Sequence, residues 1–530
     1  MSTAPRDLVM AFDVGSTSAR AGIFTRDGAL VARATRPFAI NRPAADFAEH
    51  DGAEIWAAVC AASRAALADA KVDAARVAGL AFDATCSLVA LDAGGRPVGV
   101  SPDGEDRWNV IMWADHRAVA EADEITATGH RALGFVGGVM SPEMELPKLL
   151  WLKRHAPARW ARIGLALELA DFLLWRATGR VAVSACTVTC KWTYLNHEPD
   201  PWPRDLFARL GLDDLERRVG LPARARPIGE DAGALSASAA AELGLTPACV
   251  TGVGLIDAHA GGLGLLGATP QRELDRSLAV IAGTSTCHMA VSRDPRPIRG
   301  VWGPYLGAMM PGLWLNEGGQ SATGALLDHV IELHAEGRAL GADRHERVGA
   351  EAARLLASEG PAMLGDLQVL PDFHGNRSPL ADPAARGAIH GLTLDASFAG
   401  LARLWYAAAV GVALGTRHVI DAMNAAGYAI DRLHLTGGHA ASELLVQLYA
   451  DATGCEVVLP AEPDGVLLGT ATVAAAASKL HPSLSASGQA MVRAGRAVRP
   501  QASRREFFDR RYRAFLAMHE QARALRALTG

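Results

Sequence analysis

Aromatic residues are scarce in this chain, at 6%, and no long basic run occurs anywhere in it. Lys and Arg number 52 against 57 Asp and Glu, a formal net charge of −5. That balance excludes the broad positive footprint of a nucleic-acid binder. A mildly acidic protein that takes an anionic ligand must hold it locally, through backbone amides and a metal. The cysteines are few, odd in number and scattered: Cys60, Cys86, Cys186, Cys190, Cys249, Cys287 and Cys455. Such a set is no disulfide framework. Cys186 and Cys190 stand four apart, but no second Cys/His pair near them in sequence completes a zinc site. The apolar run Ile163–Trp175 is broken by Glu168 and Asp171 and is too short to span a bilayer. The N-terminal stretch MSTAPRDLVMAF lacks the charged and apolar regions of a signal peptide. The expectation is a cytoplasmic protein with no membrane and no nucleic-acid partner. Two nucleotide fingerprints are missing as well. No glycine-rich loop ends in Gly-Lys-Ser/Thr, and the glycine-spaced stretch Gly262–Gly267 lies in a helix-like apolar run that suits packing.

What is present is ample apolar material: half of the 530 residues are hydrophobic. The length calls for two or three domains. Leu8–Asp13 and Ala19–Thr25 read as strands around the turn Asp13-Val14-Gly15-Ser16-Thr17-Ser18, and Asp27-Gly28 leads to a third strand, Ala29–Thr35. Asp51-Gly52-Ala53-Glu54 opens a helix running to about Ala70. Val77–Phe82 is a further strand, and Val89–Asp92 and Pro97–Val100 form a hairpin around Gly94-Gly95. Residues 115–235 read as an insertion with helices at Lys148–Arg154 and Ala166–Thr178. The opening theme then returns: Ser277–Ala282 runs into Gly283-Thr284-Ser285-Thr286, with Cys287–Val291 behind it. Leu433–Leu435 precedes Thr436-Gly437-Gly438, a helix capped by Ser442 and a strand at Glu456–Leu459. Gly469–Lys479 is a small-residue helix, and Arg504–Leu528 is a charged amphipathic helix that packs or caps. Two strand–turn–strand units half a chain apart are what a duplicated two-domain protein shows. The boundary is expected near Gly261–Pro270, dividing the chain into 1–265 and 266–530.

The two hydroxyl-rich turns carry the first chemistry. A tight turn with glycine lets backbone amides approach phosphate oxygens, and the hydroxyls add donors. Asp13, at the end of its strand, suits Mg²⁺, a hard cation that prefers oxygen. Either turn alone is compatible with an ordinary hairpin; two in corresponding places point to phosphate. Asp257, in Gly254-Leu255-Ile256-Asp257-Ala258-His259-Ala260-Gly261, lies just before the boundary, where a cleft should be. A carboxylate there can take the proton of an attacking hydroxyl, although a helix-capping role fits the same residue. Trp113-Ala114-Asp115-His116-Arg117 gathers donors, acceptors and an aromatic wall for a polyhydroxylated ligand; a surface Asp–Arg pair fits equally. Phe82-Asp83-Ala84-Thr85-Cys86-Ser87 ends a strand with small polar residues. Asn316-Glu317-Gly318-Gly319-Gln320-Ser321 offers a hydroxyl acceptor beside glycines. Lys191 is a lone lysine in an apolar setting, open to snorkelling as much as to binding.

These residues resemble those of the FGGY carbohydrate kinases, over essentially the whole chain. Pro147-Lys148-Leu149-Leu150-Trp151 resembles one family signature, and Leu435-Thr436-Gly437-Gly438-His439-Ala440 through Ala450-Asp451 the other. Asp83–Leu88, Trp113–Ala118, Ser141-Pro142-Glu143-Met144, Cys190–Tyr194, Gly283–His288, Glu317–Ser321 and His374-Gly375-Asn376-Arg377-Ser378-Pro379 look like the ribulokinase branch, closest to D-ribulokinases. One departure is that the first turn reads Gly-Ser-Thr where the broad family has Gly-Thr; Ser16 keeps the hydroxyl. The resemblance implies an α/β fold of two actin-like, ribonuclease-H-like ATPase domains around an inter-domain cleft. ATP would sit mostly on the C-terminal half and sugar mostly on the N-terminal half. It implies Asp257 as general base, with Asp13 and Asp257 near Mg²⁺. Ser16, Thr17, Ser18, Gly283, Thr284 and Ser285 would hold phosphates, and Gly437 and Gly438 would flank adenosine. Ala84, Asp115, Lys191, Asp257 and Glu317 would meet the sugar. The implied reaction converts D-ribulose to D-ribulose 5-phosphate. L-Ribulose, ribitol, L-xylulose and other polyols stand as alternatives within the class, and a non-catalytic sugar or nucleotide sensor as one outside it. The sequence is compatible with a homodimer.

Overall fold

The computed structural model describes residues 5–101 and 104–529; positions 1–4 of the N-terminal stretch lie outside the described residues. The chain opens with β1 (Leu8–Val14), β2 (Ser18–Thr25) and β3 (Leu30–Pro37), followed by α1 (Gly52–Ala70) and β4 (Val77–Ala84). β1 and β4 are buried at every residue, as parallel strands covered on both faces must be. Asp51 caps α1 as its sequence predicts, accepting from the amides of Ala53 and Glu54 at 2.8 and 3.2 Å. After the insertion the sheet is completed by β5 (Asp231–Ala234), β6 (Val250–Gly252) and β7 (Leu255–Ile256), in the order β3-β2-β1-β4-β6-β5, with β7 also on β4.

The helix α2 (Asp257–Leu266) leads to a second sheet. Its strands are β8 (Ser277–Ala282), β9 (Thr286–Ser292), β10 (Trp302–Leu306), β11 (Trp314–Gln320), β12 (Arg432–Thr436), β13 (Glu456–Pro460) and β14 (Ala494–Val498), ordered β10-β11-β9-β8-β12-β13-β14. β8 pairs antiparallel with β9 and parallel with β12, just as β1 pairs antiparallel with β2 and parallel with β4. The two turns of interest therefore occupy equivalent places in two sheets. The core of the second sheet is built on α3 (Phe398–Ala425), the one helix among the described residues long and apolar enough to cross a membrane. The protein itself covers 78% of its most apolar window. The C-terminal helix (Arg505–Thr529) packs Phe508, Tyr512 and Phe515 into that core and leaves its charged face to solvent.

One local expectation differs from the structure. Residues 165–168 are a strand, not the start of a helix: Leu165–Glu168 pairs antiparallel with Leu88–Leu91, and the helix begins at Leu169. Gly261, Gly262 and Gly264 lie inside α2, in the helix-like packing run that the sequence suggests. A Cβ on Gly264 would stand 1.9 Å from the carbonyl oxygen of Gly465, and one on Gly469 would stand 1.9 Å from that of Ala260. α2 thus crosses α4 (Gly465–Ala477) at backbone contact. Leu467, Leu468, Ala471 and Val473 of α4 belong to the core of the first sheet, so the second half of the chain returns across the molecule.

Candidate active site

The first turn is closed by the amide of Gly15 donating to Ser18 O at 3.0 Å, and the second by that of Gly283 donating to Ser285 O at 2.9 Å. Thr17 and Thr284 form the exposed tips, and Ser16, Ser18 and Ser285 are half-exposed beside them. The second turn is braced from behind: Gly324 N donates to Gly283 O at 3.0 Å and Thr323 N to Thr284 O at 3.0 Å. Both turns line one cleft of about 460 Å³ between the sheets, together with Asp13, Asp257, Lys191 and Glu317.

Asp257 is the first residue of α2, immediately after β7, and its Oδ1 accepts from the Ala258 amide at 2.7 Å. The helix-start bond and a place on the cleft wall are thus compatible. Burial, reinforced by the charge of Asp13, raises its carboxyl to about 6. Asp13 is ion-paired with Arg20, which also reaches Asp464 at 3.1 Å. Burial nevertheless holds Asp13 above the ordinary carboxylate range, against the pull of Arg20. Beside it, Asp83 accepts from the Thr470 hydroxyl on α4. Asp13 and Asp257 both present carboxylate oxygens to the cleft. That donor chemistry fits a hard divalent cation.

Also on the cleft wall, Lys191 lies with Nζ 4.4 Å from the centre of the Trp302 ring. Burial disfavours its charge, but Cys86, Glu317 and Glu143 hold its pKa well above the ordinary lysine value. Glu317 projects from β11. Burial alone would raise its carboxyl, yet the bond from His259 and the charges of His259, Lys191 and Arg377 bring it down to about 2. Trp113 lines the cleft and donates from Nε1 to Ser16 Oγ at 2.9 Å, tying an aromatic wall to the first turn.

Some expected residues lie elsewhere. Asp115 is withdrawn from the cleft. Its carboxylate accepts from Arg117 at 2.8 and 2.7 Å and from the Ala48 amide at 2.7 Å, and Arg117 continues to Glu49 at 2.8 Å. The group is fully buried in this ion-pair network and does not line the cleft. Ala84 is the buried last residue of β4; Thr85 and Cys86, which follow it, face the cleft instead. Gly437 and Gly438 follow β12 beside the second turn. A Cβ on Gly437 would stand 2.3 Å from Ala282 O, whereas one on Gly438 would meet nothing within 4 Å, leaving an open ledge there.

Four cleft residues carried no assigned role in the sequence. Glu143 and Arg377 meet at 3.2 Å, Arg377 lies 5.6 Å from the Trp302 ring centre, and Arg20 secures Asp13. The motifs around Glu143 and Arg377 were visible, but nothing local tells that they face each other. Trp302 had no sequence signal. Cys186 and Cys190 acquire a third neighbour, His259: one donor atom from each lies within 4.8 Å of the others.

Two hydroxyl-bearing turns at equivalent places in two sheets, lining a cleft with buried carboxylates, are the arrangement of a phosphotransferase of the actin-like class. Residues 8–264 match the model of the FGGY family of carbohydrate kinases, N-terminal domain, and residues 278–478 that of its C-terminal domain. The chain belongs to the FGGY family of carbohydrate kinases and is an ATP-dependent enzyme with two actin-like, ribonuclease-H-like domains. It is 45% identical to an FGGY carbohydrate kinase domain-containing protein of Danio rerio, over 96% of this chain and 96% of that one. It is 35% identical to a D-ribulokinase of Saccharomyces cerevisiae, over 88% of this chain and 71% of the other. A xylulose kinase from Rhodospirillum rubrum superposes with a TM-score of 0.80 at 25% identity, covering 98% of this chain and 99% of that one.

Proposed function

We propose that this kinase transfers the γ-phosphoryl group of ATP to a ketopentose, D-ribulose, giving D-ribulose 5-phosphate. The observation that carries the reading is the position of Asp257. It lies on the wall of a single cleft that is also lined by the two turns and by Lys191, Glu317, Glu143 and Arg377. A hydroxyl held by these polar side chains can hand its proton to Asp257 as it attacks the phosphoryl group. The turns Ser16–Ser18 and Gly283–Ser285 bind phosphate oxygens, and the ledge at Gly437 and Gly438 receives the nucleoside. Asp13 and Asp257 would hold Mg²⁺, which would supply charge neutralisation at the phosphates. Lys191 donates to ligand oxygens, and Glu317, held ionised, accepts from a hydroxyl. The similarity to the yeast D-ribulokinase supports the choice of sugar. A buried site built to pair particular hydroxyls rejects analogues strongly, by about 10⁴-fold or more where a hydroxyl is missing.

The test is ADP release by the purified protein with Mg-ATP across D-ribulose, L-ribulose, D- and L-xylulose, ribitol, arabitols, erythritol and glycerol. The proposal expects one dominant activity, on D-ribulose. A higher kcat/KM for another ketopentose or a polyol would overturn the sugar while keeping the chemistry.

A further inference from the structure

His259 lies two residues beyond Asp257 on α2, is fully buried, and does not line the cleft. Its Nε2 stands 3.1 Å from Glu317 Oε2, and its Nδ1 stands 3.0 Å from Cys186 Sγ. Cys186 is fixed in turn. Its sulfur accepts from the Ile256 amide at 3.4 Å, one residue before Asp257, and its own amide donates to Ser184 Oγ at 3.2 Å. The Ser184 hydroxyl closes the loop by donating to Gly254 O at 2.7 Å. One imidazole therefore joins three segments: the short helix that ends in Lys191, the helix that begins with Asp257, and the strand that carries Glu317.

Glu317 has three side-chain torsions to immobilise before it can accept a hydroxyl in one geometry. Ordering such a side chain at the moment of binding costs affinity that preorganisation recovers. A hydrogen bond to one carboxylate oxygen removes much of that freedom and leaves the other oxygen for the ligand. A metal reading of Cys186, Cys190 and His259 fits less well. A closed zinc site needs four ligands, and the grouping among the described residues has three, with Cys186 Sγ already at hydrogen-bonding distance from the ring.

We propose that His259, anchored by Cys186, is a positioning residue for Glu317, so that sugar recognition depends on an imidazole that touches no substrate. The proposal rests on the reading of Glu317 as a sugar contact. Its test compares Glu317→Gln, His259→Leu, His259→Gln and the double variant Glu317→Gln/His259→Leu. Sugar KM, ATP KM, kcat and Tm are measured for each, with zinc content measured in the unmutated protein. Glu317→Gln should raise sugar KM about tenfold or more, the size of a hydrogen bond to a charged group. His259→Leu should raise sugar KM by about tenfold with ATP KM unchanged. His259→Gln, whose amide can donate in place of Nε2–H, should recover most of that loss. The double variant should bind sugar no worse than Glu317→Gln alone, because the two residues act as one unit. Independent multiplying losses, equal damage to both KM values, or no rescue by glutamine would overturn the positioning role. So would one equivalent of zinc in the unmutated protein. An unchanged sugar KM in Glu317→Gln would instead overturn the reading of Glu317 itself. Should His259→Leu not fold, Cys186→Ala carries the comparison: a raised sugar KM at constant ATP KM is expected, and an unchanged one contradicts the proposal.

Discussion

Glu143 Oε1 and Arg377 Nη2 meet at 3.2 Å on the wall of the cleft, although 234 positions separate them in sequence. Glu143 belongs to the first half of the chain and Arg377 to the second, so this polar part of the cleft wall is complete only when the two halves come together. The pair is half-buried, with side chains 17% and 14% exposed, so removing one partner leaves the other uncompensated but partly solvated. Arg377→Ala should raise sugar KM by about tenfold or more, the size of a lost hydrogen bond to a charged group. Arg377→Ala/Glu143→Ala should be less damaging than the product of the single losses. A double-mutant cycle in steady-state kinetics checks this, and strict additivity would mean the pair is not a unit.

The acid limb of the rate profile should belong to Asp257. Its carboxyl is raised to about 6 by burial and by Asp13, and only the ionised form can accept a proton. Activity is thus present above that pH and lost as pH falls through it. The profile of kcat/KM, which reports the free enzyme, should bend near pH 6 and drop about tenfold per unit below. A profile flat down to pH 4.5 would exclude this carboxyl as the base.

Asp115 should matter to stability and not to sugar binding. Asp115→Ala leaves Arg117 with Glu49 alone in a fully buried cluster and opens the Ala48 amide, a change worth about 3–5 kcal/mol. Denaturant unfolding should show the loss, while sugar KM of the folded variant stays within about twofold. A sugar KM raised tenfold at unchanged stability would restore Asp115 to the site.

The crossing of α2 and α4 makes a separate mechanical prediction. Gly264→Ala places a methyl group 1.9 Å from the Gly465 carbonyl oxygen, and backbone on both sides must move. Overpacking of this kind costs about 1–3 kcal/mol. Thermal unfolding should show it, and ATP and sugar KM should both rise as the halves lose their registration.

How much of this was legible in the sequence follows from how local each signal is. The two turns and Asp257 are contiguous motifs with their own local chemistry, and each faces the cleft. The helix cap at Asp51 and the packing role of the glycines in α2 are equally local. Asp115 lies off the cleft for a physical reason. A string of aromatic, acid, imidazole and guanidinium looks the same whether its charges face a ligand or satisfy one another, and here Arg117 closes on Asp115 two residues away. Leu165–Glu168 misled because an apolar run joined to a helix has no period of its own; only its partner strand Leu88–Leu91 decides it. Glu143, Arg377, Trp302 and the His259–Glu317 contact depend on pairings across the fold that no window of sequence contains.

The central claim is that Asp257 removes the proton of the attacking hydroxyl. Single-turnover and steady-state kinetics of Asp257→Asn, with sugar and ATP affinities measured alongside, test it most directly. The account predicts turnover reduced by about 10²–10⁴-fold with both affinities nearly intact. Normal turnover in that variant would contradict it.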